Sequence, residues 1–137
     1  MSGPDPADTR EEVVGWLRVA TADRRVARLC LDADPPARDG AAFHCQQAAE
    51  KVLKGFLVQA GIDFRKTHDL DLLGRTVLTR FPSLEPLVLP LRDWTNWSVA
   101  YRYPGEPDVV PQPSVMELDR ALDLIARLAS ELEAIAL

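Results

Sequence analysis

The segment that most constrains this chain runs from Ala41 to Gly61 and reads AAFHCQQAAEKVLKGFLVQAG. At 3.6 residues per turn its side chains sort onto two faces. Ala41, Ala42, Cys45, Ala48, Ala49, Val52, Leu53, Phe56, Leu57 and Ala60 fill one broad arc, and His44, Gln47, Glu50, Lys51 and Lys54 share a narrower one. So wide an apolar arc has to be covered, and the spacing predicts a helix around which the rest of the chain is arranged. Gly61 stands where such a helix leaves its last turn, because glycine reaches positive φ without a Cβ clash.

The polar arc has two readings. Glu50 and Lys54 are spaced i,i+4, a surface pairing that contributes a few tenths of a kcal/mol, and Gln47 and Lys51 read as ordinary solvent coverage. Against this stands the density of an imidazole, an amide and two ammonium groups on adjacent turns. Such a cluster can hold a phosphate or a base edge.

A chain of 137 residues suits a single domain that buries about two thirds of its unfolded surface without a staple. Cys30 and Cys45 both fall in helical stretches, with no CxxC and no Cys/His ligand spacing, and read as free thiols of a reducing cytoplasm. The N-terminal MSGPDPADTR has neither a basic nor an apolar leader region, and no apolar run reaches the length of a membrane span, so a cytoplasmic protein without a membrane partner is expected. The net charge of −5 argues against a general nucleic-acid coat. The middle of the chain is nevertheless mildly basic: Lys51, Lys54, Arg65, Lys66, Arg75 and Arg80 face only Glu50, Asp63, Asp69 and Asp71 between Ala41 and Pro82. Local phosphate binding is compatible with that balance.

In chain order, residues 1–8 are expected to be a disordered N-terminus and residues 9–137 a single helical domain. Thr9 to Glu12 forms a capping box that predicts the start of the first helix, followed by Val13, Trp16, Leu17, Ala20, Ala27 and Leu31 at helical spacing. Asp23 falls beside that apolar face; it either pairs with a group on a neighbouring helix or lies at the stripe's edge, and the edge is favoured. Pro35 and Pro36 make residues 32–40 a loop. Thr67 is the expected cap of a short third helix carrying Leu70, Leu73 and Val77. Leu87, Leu91, Trp94, Ser98 and Tyr101 predict a fourth helix over 84–103, kinked or delayed at Pro90 and stopped by Pro104 and Gly105. Ser114 to Glu117 is a second capping box, opening a final helix with Val115, Leu118, Leu122, Ile125, Leu128, Ala129 and Leu132 on one face. The fold class expected is all-α, an antiparallel up-and-down four-helix bundle with an additional short helix. No Gly-rich phosphate loop, HExxH or GxSxG is present, so those enzyme classes lack local support.

An aspartate-bearing first helix, then FHCQQAAEKVLKGFL, GIDFRKTHDL, a Trp-containing helix ending AYRYPG and a capped last helix: this order resembles the HEPN domain family over nearly the whole chain. The resemblance implies a bundle of four to five helices that forms a homodimer, is often encoded beside a minimal nucleotidyltransferase, and binds nucleotides or cleaves RNA without metal. The family's ribonuclease signature is an Arg followed, after four to six residues, by a His. Arg102 stands where the family places its Arg, but the positions that would hold the His are Pro107, Asp108 and Val109, so the general acid/base is missing. Arg38 and His44 match the spacing at the wrong place in the domain, a coincidence.

The function this implies is a nucleotide- or RNA-phosphate-binding partner of a nucleotidyltransferase in a two-component, toxin–antitoxin-like system, with no cofactor, metal ligand or assigned catalytic residue. Lys51, Lys54 and Arg102 would contact phosphate oxygens, His44 and Gln47 would hydrogen-bond phosphate or base, and Trp97, Tyr101 or Tyr103 would stack a base. The binding set is therefore His44, Gln47, Lys51, Lys54, Arg102 and Tyr103. For Trp94, Trp97 and Tyr101 the competing and favoured reading is core or dimer interface. Two alternative functions stand beside the first: a metal-independent ribonuclease toxin using Arg102 with a histidine such as His44, and a non-catalytic dimeric interaction module.

Overall fold

The structure is a computed structural model and describes residues 5–64, 66–97 and 112–137. Helix α1 spans Pro6–Asp32, α2 Arg38–Gln59, α3 Leu70–Arg80, α4 Glu85–Val88 and α5 Val115–Ala136, with 3₁₀ turns at Pro82–Leu84 and Leu89–Trp97. The fold is all-helical, with no strand among the described residues.

Helix α2 is the central element: it meets α1, α3, α5 and the Leu89–Trp97 segment. Ala41, Ala42, Cys45, Ala48, Ala49, Val52, Leu53 and Leu57 are all completely buried. The alanines keep that surface low, so neighbouring backbones approach closely. At Gly55 the approach is closest, for a Cβ there would stand 2.6 Å from Leu132 Cδ2 of α5 and 3.5 Å from Trp16 Cβ of α1. The helix ends in a Schellman arrangement, in which Ile62 N donates to Leu57 O and Gly61 N to Val58 O, both at 3.0 Å, with Gly61 at φ 67°.

Several boundaries differ from the sequence expectation, each for a local reason. Helix α1 begins at Pro6, because Asp5 Oδ1 accepts from Ala7 N at 2.9 Å and proline suits the first helical position, so the Thr9–Glu12 box lies inside the helix. Helix α2 begins at Arg38, not after Gly40: Ala37 N folds back onto Cys30 O at 2.8 Å, and Asp39 sits at the positive end of the dipole. Asp69, not Thr67, caps α3, accepting from Asp71 N and Leu72 N at 3.0 and 3.3 Å. Ser114 and Glu117 cap α5 reciprocally, as the sequence indicates, although Val115 is exposed rather than part of the buried face.

The largest correction concerns the fourth helix. Among the described residues there is one α-turn, Glu85–Val88, followed by 3₁₀ structure from Leu89 to Trp97; residues 98–103 of that expectation lie outside the described residues. Pro90 has no N–H to give the carbonyl of Pro86, so the i→i−4 ladder breaks there. The tighter helix has three residues per turn and eclipses side chains at i and i+3. Trp94 and Trp97 accordingly stack on each other, ring centroids 4.8 Å apart and planes 13° from parallel, with 7% and 8% of their surface exposed. They are core residues.

Candidate functional site

The polar arc of α2 is neither a solvated face nor an open cradle. It is an ionic seam against α1 and the segment that follows α2. Asp23 of α1 is buried at its centre and accepts from His44 Nδ1 at 2.9 Å and from Lys51 Nζ. The favoured edge reading of Asp23 is thus replaced by the paired one, as the cost of desolvating a carboxylate requires. His44 and Lys51 lie one above the other on α2, and Asp23 reaches across to both. Their side chains keep 28% and 21% of their surface exposed, so this end of the seam opens to solvent. With Nδ1 donating to Asp23, Nε2 is the nitrogen left to meet a ligand.

The second half of the seam is deeper at Glu50 and Lys54, while its His68 side chain is 80% exposed. Glu50 and Lys54, expected as a surface pair, have 4% and 7% exposure. Glu50 Oε1 accepts from His68 Nδ1 at 2.6 Å, and Oε2 lies 3.6 Å from Lys54 Nζ. The Lys54 ammonium sits 5.8 and 5.6 Å from the ring centres of Trp16 and Phe64. Two aromatic faces and a carboxylate offer a desolvated cation the partners it needs. Burial came from tertiary packing: α1 supplies Trp16 and the post-α2 segment supplies Phe64 and His68, neither of which a helical wheel of α2 contains.

This seam explains the tetrapeptide Thr67–Leu70 residue by residue. Thr67 Oγ1 accepts from Asp69 N at 3.1 Å, His68 binds Glu50, Asp69 caps α3, and Leu70 is buried. Gln46, absent from the sequence-derived set, is buried as well; its Nε2 donates to Thr95 O at 2.6 Å, tying the 3₁₀ segment to α2. Asp23 and Gln46 could have been suspected only from their positions beside an apolar arc, and the pairing of Glu50 with His68 not at all, since these partners lie far away in sequence.

Of the expected binding residues, the structure brings His44 and Lys51 together and leaves Gln47 half-buried on the same helix, whereas Lys54 is drawn into the Glu50 pair. Arg102 and Tyr103, with Tyr101, lie outside the described residues. Arg38 turns away from His44: Nε and Nη2 donate to Pro113 O and Gln112 O at 2.9 and 3.1 Å, which fixes the entry to α5. Burial pushes the Cys45 thiol up to about 12, with Arg28 pulling it down and Cys30 raising it further, so it is no nucleophile at neutral pH. Among the described residues no group of three or more His, Cys, Asp or Glu is arranged to hold a metal ion, and no helix is long and apolar enough to cross a membrane.

A small all-helical domain with a central alanine-rich helix, an aspartate from the first helix locked onto that helix's lysine and histidine, and a capped last helix defines the class. Residues 13–134 match the family model of the HEPN domain, nearly the whole chain, and the protein belongs to the HEPN family. Comparison with curated proteins and with solved structures gives no significant match. A nucleotide- or RNA-related role follows at the level of the family.

Proposed function

We propose that this HEPN domain binds a nucleotide or RNA phosphate without catalysing a reaction, as a homodimer that partners a nucleotidyltransferase in a two-component system. The observation that carries the binding half is the open end of the α2 seam. There Asp23 fixes the ring of His44 through Nδ1 and holds Lys51 beside it, both partly exposed. A pre-positioned imidazole and ammonium lose little side-chain freedom when a phosphate arrives, and Gln47 on the same helix adds an amide. Lys54 supports this site from below as the buried partner of Glu50, and Arg102 and Tyr103 complete the proposed binding set.

The test is a calorimetric titration of ATP and of a short RNA into wild type, Lys51→Met and His44→Gln. Saturable binding weakened at least tenfold by each substitution is the expected result; heat that both variants leave unchanged would remove the α2 seam from the function. Co-purification with a nucleotidyltransferase tests the partnership separately.

One observation favours a second reading, metal-independent RNA cleavage. A buried carboxylate orienting a histidine through Nδ1 is the arrangement of a positioned general base, and His44 with Asp23 has it. RNA left intact by concentrated protein in the presence of EDTA would exclude this reading.

A further inference from the structure

We infer that the groove between α1 and α5 takes the phosphate backbone of single-stranded RNA. This inference rests on the RNA side of the proposed function and assigns it a surface separate from the α2 seam. On α1, Trp16 and Asp23 lie to one side of the stripe formed by Val13, Leu17, Ala20 and Ala27, and Thr21, Arg24 and Arg28 lie to the other. The second side faces α5 across an open groove of about 680 Å³.

Arg24, Arg25 and Arg28 line the groove from α1 and Arg120 from α5, opposed by Asp119 and Asp123. Among the described residues, four guanidiniums against two carboxylates leave a surplus of two positive charges (4 − 2), in a chain whose net charge is −5. Such a local reversal of sign is what a polyanion needs from an acidic protein. An ion pair that spans the groove, Arg28 Nη2 to Asp119 Oδ1 at 2.8 Å, joins side chains that are 47% and 61% exposed. A pair so open to water contributes little and yields readily to a phosphate.

The type of residue narrows the ligand. All four cations are arginines, whose planar fork matches two phosphate oxygens at once. Arg24 and Arg28 stand one turn apart on α1, a rise of about 6 Å, similar to the spacing of successive phosphates along an extended strand. Among the described residues the remaining lining is Thr21 with the aliphatic side chains of Leu122 and Ala126, and none of them offers a base an aromatic stacking platform. The described lining gives the base of a mononucleotide no aromatic partner. A strand held by successive phosphates loses nothing by that, and its binding is independent of sequence and steeply dependent on salt.

The test is fluorescence anisotropy of a labelled oligouridine with the full chain across a series of salt concentrations. Wild type is expected to bind saturably, with log K falling against log salt at a slope of about −2 to −3, as neutralising three or four phosphates of a single strand requires. The double variant Arg25→Ala/Arg120→Ala removes two exposed side chains; it should weaken binding at least tenfold and flatten the slope by about 1.4. Asp123→Asn, which removes an opposing charge, should tighten binding. The inference is overturned, with the proposed function left standing, if the double variant binds as wild type while Lys51→Met does not, or if ATP binds and the oligouridine does not. Wild type that binds neither overturns both. Loss of a dimer in sedimentation with unchanged RNA affinity in the double variant would make the groove a contact between copies and overturn the inference as well.

Discussion

At the scale of single residues, the buried polar groups of this protein are joints between helices. Lys54 shows it most clearly, since its ammonium lies near the rings of both Trp16 and Phe64 and beside Glu50. Lys54→Met keeps the aliphatic stem and removes only the charge, leaving the Glu50 carboxylate to His68 alone. The expected cost is about 3 kcal/mol, the range for breaking a buried pair, measured as a shift of the urea midpoint. Adding Glu50→Gln to Lys54→Met should recover part of that loss, and strictly additive losses would show that the two do not act as a pair. Cys45 gives a pH dependence with a definite sign. Its folded-state pKa is raised to about 12 by burial, so the favourable burial of the neutral thiol is fully present below the unfolded value near 9 and is lost as pH rises from there toward 12. Stability should therefore fall between those limits by about 1.4 kcal/mol per pH unit more in wild type than in Cys45→Ala, in denaturation curves recorded at successive alkaline pH values.

At the scale of elements, close approach of α2 to its neighbours is the controlling contact. Gly55 has no room for a Cβ, with Leu132 Cδ2 at 2.6 Å and Leu132 itself completely buried. Gly55→Ala gains about 1 kcal/mol of helix propensity and loses about 2 by forcing α5 outward, so a net destabilisation of about 1 kcal/mol is expected in chemical denaturation. A gain in stability would show that Leu132 repacks freely. The 3₁₀ segment from Leu89 to Trp97 makes the opposite point about element type. Its apolar residues fit an α-helical wheel, yet Pro90 denies the ladder a donor and the eclipsed Trp94–Trp97 stack then stabilises the tighter winding.

At the scale of the whole molecule, charge is sorted by face. The α2 seam is internally balanced, with Asp23 and Glu50 answering Lys51 and Lys54, whereas the α1–α5 groove carries the surplus of arginine. The acidic total of the chain conceals both facts, because a sum over residues carries no position. What the sequence determined by itself was local. It determined the all-helical class, the central place of α2, the exit at Gly61 and the Ser114–Glu117 cap, each written in residues a few positions apart, and the HEPN resemblance through the order of such motifs along the chain. Helix starts were legible to within a turn, since Asp5–Pro6 and Thr9–Glu12 both carry starting signals and the Asp5 side chain, accepting from Ala7 N, sets the earlier one. The candidate site was half legible. A wheel of α2 brings His44, Gln47, Glu50, Lys51 and Lys54 onto one arc, but it holds no information about Asp23, Trp16, Phe64 or His68. Only the tertiary structure decided which of those polar groups are desolvated and which remain open. The physical reason is that the state of a charge depends on the dielectric and the partners around it, and here other elements supply both.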